Sequence, residues 1–170
     1  MPPDRRSLRF YFDESLLGVG KAVAIARRDT VHVGHPLVEA ELPLGILDVE
    51  WIPTVAKHDL VVLLCDRRIR TKPAELLALR EHRVRVFWVA GKKNLSVWAT
   101  LVRLVHRWPE MERIVAARGP GPWFMAVNEG EIVEIPLPSG SRARPNQLRD
   151  RESGSRVNER HLRPPRSGTP

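Results

Sequence analysis

What this chain lacks narrows the field first. It has a single cysteine, Cys65, so no disulfide framework can form, which fits a reducing compartment and the expectation of a cytoplasmic protein. No apolar run approaches the roughly 20 residues that span a bilayer. The opening MPPDRRSLRF carries basic residues but no apolar segment before an acid interrupts it. Neither a signal peptide nor a membrane partner is expected. No Cys/His set has zinc spacing. His32 and His35, in HVGH, are three apart on a strand and the loop after it; they are expected to face different ways in a structural role. Cys65 itself lies inside an apolar run, where it reads as a small core residue.

What is present is ordinary in amount and uneven in placement. Hydrophobic residues make up 42% and charged residues 28% of the 170 positions, enough for one soluble domain with a real core. The net charge is +8, which favours anionic partners. Residues 139–170 hold eight arginines against three acids, so most of the excess lies there. That segment is rich in Ser, Gly, Pro and Arg, with only Ala143, Leu148, Val157 and Leu162 as apolar residues. It cannot bury enough surface to offset its ordering entropy, and a disordered, solubilising tail is expected. The domain reading is therefore a folded 1–138 and an Arg-rich tail, 139–170.

Periodicity divides the folded part into alternating elements. Leu8–Phe12 reads as a strand ending at Asp13, and Ser15–Arg28 as a helix with Leu16, Val19, Val23 and Ile25 inward, weakened at its start by Gly18 and Gly20. Thr30–Val33 is a second strand, and 34–47, with two prolines and two glycines, a loop. Asp48–Lys57 reads as a helix capped by Asp48, with Trp51, Ile52 and Val55 inward and Pro53 awkwardly placed. Leu60–Cys65 is a strand with the continuous apolar character of one buried on both faces, and it ends at Asp66. Pro73–Glu81 follows as a helix capped by Thr71 or Lys72, with Leu76, Leu77 and Leu79 inward. Val84–Val89 is the fourth strand. A helix capped by Asn94 presents Leu95, Trp98, Leu101, Val102, Val105 and Trp108 as its stripe, and Pro109 ends or kinks it before a second piece, 110–117. Trp123–Val127 and Ile132–Ile135 flank NEGE as a hairpin.

Strands alternating with helices imply right-handed βαβ crossovers and a mainly parallel sheet between two helical layers. Two strands then end in an acid, Asp13 and Asp66, on the edge where open α/β sheets bind ligands, and Asp48 starts a helix near the same rim. Carboxylates brought together repel unless a proton or cation neutralises them. Hard oxygen donors suit Mg²⁺ or Mn²⁺ rather than zinc, and such an ion activates water and clamps phosphate oxygens in phosphodiester cleavage. Arg67, Arg68, Arg70 and Lys72, just beyond Asp66, are the candidate substrate-binding residues for a nucleic-acid backbone. Each acid also has a plain structural reading as a helix cap or salt-bridge partner. The ending of two separate strands in Asp at one edge favours the joint, functional one.

FYFDES, then DVEWIPTVAKHDLVVLLCDRRIRTKPAEL, then VRVFWVAGKKNLS resemble the PIN-like ribonuclease domains, in particular the short group that includes the VapC toxins. The resemblance runs from about Leu8 to Ile135. It implies an α/β/α sandwich with a mainly parallel central sheet, Mg²⁺- or Mn²⁺-dependent cleavage of single-stranded RNA, and often an antitoxin partner. By position Asp13, Asp48 and Asp66 match the family's metal-holding, catalytic acids. Larger PIN domains carry a further acid between the first two. Here that interval is the 34–47 loop, with Glu39 and Glu41 in no clear motif. Glu14, Glu50 and Glu75 are the substitutes, and Glu50, two residues from Asp48, is the favoured fourth catalytic residue. Trp51 is expected in the core rather than as a base-stacking platform. RNA, an antitoxin and a second copy of the chain are the candidate partners. Two other readings stand beside the nuclease: a binding-only RNA module, and a phosphoacceptor receiver-like domain using Lys92 or Lys93. The arginines after Asp66, and the lack of a small hydroxyl residue directly after the fourth strand, fit a receiver poorly.

Overall fold

The computed structural model describes residues 5–66, 72–90 and 95–136. The chain divides into a unit Met1–Ser139 and a unit Gly140–Pro170, and all the described residues belong to the first. The Arg-rich tail, Arg67, Arg68, Arg70, Lys92, Lys93 and Asn94 lie outside the described residues. Six strands, β1 (Phe10–Phe12), β2 (Thr30–His32), β3 (Val61–Leu64), β4 (Arg85–Val89), β5 (Trp123–Val127) and β6 (Ile132–Glu134), alternate with four helices until the terminal hairpin. The helices are α1 (Leu17–Ala26), α2 (Asp48–Lys57), α3 (Pro73–Glu81) and α4 (Val97–Arg118). The sheet order is β2-β1-β3-β4-β5-β6. Every neighbouring pair is parallel except β5 with β6.

Strand parity assigns each apolar side chain to a face. Tyr11, Val62, Leu64, Val86 and Phe124 point to one side, where α2 and α3 cover them with Trp51, Ile52, Val55 and Leu79. Phe10, Phe12, Leu63, Phe87 and Met125 point to the other, under Val19 and Val23 of α1 and Leu104, Trp108 and Met111 of α4. The result is the three-layer sandwich with two separate cores. Because both faces of β1 and β3 are covered, FYF and VVLL are buried at every position. Gly20 makes the α1 contact close enough: a Cβ there would stand 2.6 Å from Phe12 Cβ. The glycine that weakens the helix as a helix is what lets it lie on the sheet.

Several sequence expectations shift. Leu47, not Asp48, caps α2, and Ser96 caps α4, its hydroxyl accepting the Ala99 N–H at 3.1 Å. Pro109 neither ends nor splits α4, which runs unbroken for 22 residues. Its ring frees the carbonyl four residues back, on Val105, and Val105 is exposed, so water can satisfy it. The same holds for Pro53 in α2, whose freed carbonyl belongs to exposed Val49. The inward stripe of α4 is Thr100, Leu104, Trp108 and Met111; Trp98, Val102 and Val105 face solvent, as do Ile25 of α1 and Leu77 of α3. His32 and His35 do not face apart, for their rings meet edge to face at 5.1 Å.

The crossovers also depart from a single hand. The β3-to-β4 and β4-to-β5 connections step the same way across the sheet, yet α3 packs on one face and α4 on the other. The last crossover is therefore of opposite hand to the one before it. The ten residues of α1 cannot cover Phe87, Met125 and Val127, and the long apolar row of α4 does so.

Candidate active site

The strand order puts β1 between β2 and β3, so the chain leaves β1 one way and later returns across it to β3. This reversal opens a crevice at the carboxyl ends of β1 and β3, where doubly wound sheets bind ligands. Asp13 follows β1 and Asp66 follows β3, one on each lip. Helix α2 starts beside them after the 34–47 loop and brings Asp48. All three aspartates line one cleft of about 370 Å³, with Tyr11, Ser15 and Lys72.

Each acid is held by its own local chemistry. The Asp13 N–H bonds Leu63 O of β3 at 3.1 Å, and its carboxylate accepts the Ser15 hydroxyl at 2.5 Å. Ser15 Oγ in turn accepts the Cys65 N–H at 2.9 Å, so one serine ties the ends of β1 and β3 together. Burial pushes the Asp13 carboxyl up to about 7; the Ser15 hydrogen bonds oppose the rise, and the Asp48 and Asp66 charges add to it. Asp48 receives Trp51 Nε1–H at 2.8 Å on Oδ1 and the Lys72 ammonium at 3.4 Å on Oδ2. Trp51 is 3% exposed, a core residue whose polar edge reaches the cleft.

The sequence favours Glu50 over Glu75 as the further acid, and the two differ in burial and in partners. Neither is among the residues lining the cleft; Glu50 is exposed and accepts the Leu47 N–H at 3.3 Å at the start of α2. Glu75 is 8% exposed. Its Oε1 takes the Lys72 ammonium at 2.6 Å, while its buried Oε2 has no hydrogen-bond partner among the described residues. Burial lifts the Glu75 carboxyl above its ordinary range; Lys72 opposes this and Asp48 reinforces it. Glu14 lines the cleft but is exposed. Glu41 is bound to His58 and Arg5. Lys72, expected on a phosphate, is engaged by Asp48 and Glu75. Ser15 was missed because a serine two residues past an acid looks like a turn residue, and its link to Cys65 spans 50 positions.

Among the described residues, no three acidic, histidine or cysteine side chains converge tightly enough to hold an ion as they stand. The donor set nevertheless fits a hard divalent cation in kind. Three aspartates share a cleft, the charges of two raise the third, and the buried Glu75 Oε2 lacks a donor among the described residues.

These features define an α/β sandwich with an acidic cleft at its topological switch point. Residues 8–91 match the family model described as a PIN like domain. The match spans all three aspartates and Glu75, and over this region the chain belongs to the PIN-like domain family. No curated protein and no solved structure matches the chain.

Proposed function

We propose that this protein is a divalent-metal-dependent endoribonuclease acting on single-stranded RNA. The observation that carries the reading is the meeting of Asp13, Asp48 and Asp66 in one cleft at the β1/β3 switch point. Asp13, Asp48 and Asp66 would hold Mg²⁺ or Mn²⁺, and such an ion, when bound, activates water and stabilises charge on a phosphodiester. The chain's own part is positional. Trp51 and Ser15 fix the Asp48 and Asp13 carboxylates through single hydrogen bonds. Burial leaves Asp13 exchanging its proton near pH 7, where an incoming cation displaces it readily. Arg67, Arg68, Arg70 and Lys72 would meet the RNA backbone, contacts that position a strand without reading its sequence. The toxin reading, with an antitoxin partner, rests on the sequence resemblance; the cytoplasmic setting rests on the single cysteine, and a second copy of the chain is a further candidate partner. No helix among the described residues is long and apolar enough to cross a membrane.

Labelled single-stranded RNA incubated with Mn²⁺, or with chelator, tests the reading. The parent cleaves only with metal, and Asp66→Asn lowers cleavage by about 100-fold or more, several kcal/mol of lost stabilisation. Equal cleavage by variant and parent overturns it. The engagement of Lys72 by Asp48 and Glu75 favours one second reading, an RNA-binding module that does not cut. Salt-sensitive RNA binding with no metal-stimulated cleavage by the parent identifies it. The strand order β2-β1-β3-β4-β5 also occurs in doubly wound receiver domains. The family match over 8–91 weighs against that third reading.

A further inference from the structure

We propose that Glu75, joined to the cleft through Lys72, acts as its fourth carboxylate with Lys72 as tethered counter-ion, so that a divalent cation and the Lys72 ammonium compete for Asp48 and Glu75. The proposal rests on the reading that the cleft takes a divalent ion.

Lys72 and Glu75 are three residues apart across the first turn of α3. Lys72 is the N-cap and Pro73 the first helical residue, so the two side chains rise from a pre-set backbone on the same side of the helix. The ammonium bridges Glu75 Oε1 at 2.6 Å and Asp48 Oδ2 at 3.4 Å, joining α3 to the start of α2. Among the described residues, one ammonium faces these two carboxylates. Of the two, Glu75 is buried, with Oε2 lacking any donor among the described residues. A buried, half-satisfied carboxylate is costly in an ordinary surface ion pair and is expected where a second cation arrives.

The asymmetry of burial says which cation leaves. Glu75 stays in place at 11% side-chain exposure, whereas the Lys72 side chain is 49% exposed. Its long stem lets the ammonium swing into water at little cost. An ion drawn to Asp13 and Asp66 would gain Asp48 and Glu75 only by displacing it. The released ammonium then stands at the mouth of the cleft, where the RNA backbone is proposed to approach. Lys72 thus holds the acids together before the ion binds and meets phosphate after it.

Calorimetric titration of the full-length chain with MnCl₂ near pH 7.5 tests this on the parent and on Lys72→Met, Lys72→Arg, Glu75→Gln and Asp66→Asn. The expected result is binding about tenfold tighter in Lys72→Met, near-parental in Lys72→Arg, about tenfold weaker in Glu75→Gln, and weaker still in Asp66→Asn. Circular dichroism checks the fold, and Lys72→Gln gives the same readout if the methionine variant does not fold. If Asp66→Asn weakens Mn²⁺ binding while the Lys72 and Glu75 variants bind like the parent, the competition is overturned and the metal site stands. If neither the parent nor Lys72→Met binds Mn²⁺, both fall.

Discussion

Trp51 Nε1 donates to Asp48 Oδ1 across 2.8 Å, so the position of one cleft carboxylate is set from the hydrophobic core. The indole is buried among Tyr11, Ile52 and Val55, its ring 6.1 Å from that of Tyr11, and cannot shift without disturbing the α2 layer. Asp48 is itself the first residue of α2, and Trp51 stands one turn further on. The packing of the helix and the aim of the acid are the same event.

Trp51→Phe tests that coupling, because it keeps the ring in the core and removes only the donor. A hydrogen bond to a charged group contributes about 2 kcal/mol. Unfolding in urea should show a loss of that order. Mn²⁺ affinity should fall with it, since Asp48 is no longer held. Unchanged metal affinity would mean that the aim of Asp48 does not depend on the indole.

The raised pKa of Asp13 has a definite sign in the pH dependence of stability. Between its ordinary 3.8 and about 7, the folded chain keeps a proton that the unfolded chain has released. Stability contributed by this group is full below that window and is lost as pH rises through it. Asp13→Asn removes the titration. The metal-free variant should match the parent near pH 4 and exceed it near pH 8, by on the order of 2 kcal/mol once partial exposure is discounted. Chemical denaturation at the two pH values reads the difference; parallel curves for the two proteins would refute it.

Ser15→Ala removes the hydroxyl that donates to Asp13 and accepts from the Cys65 N–H. The hydroxyl's hydrogen bond to Asp13 lowers the Asp13 pKa, so the variant should need a higher pH to bind Mn²⁺ half-maximally. Metal binding followed across pH 5.5 to 8.5 shows the shift. A midpoint that stays in place would reduce Ser15 to a turn residue.

Gly20→Ala should destabilise the domain by about 1–3 kcal/mol, the usual cost of forcing an extra carbon into a packed core. The added Cβ meets Phe12 Cβ at 2.6 Å and His32 Cβ at 3.0 Å, both on buried strands that cannot yield cheaply. Thermal unfolding measures it. On helix propensity alone the change would stabilise, so the two arguments predict opposite signs.

Much of the architecture is legible in the sequence for a local reason. FYFD and VVLLCD change from apolar to acid where a buried strand leaves the sheet. The bounds of α2 and α3 follow from their own periodicity and from Pro73. Leu47 and Ser96 displace the expected caps by a residue or two because capping depends on backbone turns just outside the period. The stripe of α4 was misjudged because a helix rich in apolar residues offers more than one plausible face. Which face is buried depends on where the sheet lies.

By itself, then, the sequence determined the strands, the helices, the alternation that makes a parallel sheet, and the three aspartates that end or begin elements on one rim. Tertiary structure alone decided that β1 lies between β2 and β3, which turns two strand ends into the two lips of a cleft. It also buried Glu75 and left Glu50 exposed, and closed Ser15 onto Cys65 and Lys72 onto Asp48. The physical reason is range. Helical hydrogen bonds and apolar periods act between neighbours in the chain, whereas a carboxylate's burial and partners are set by elements that meet only when the sheet has assembled.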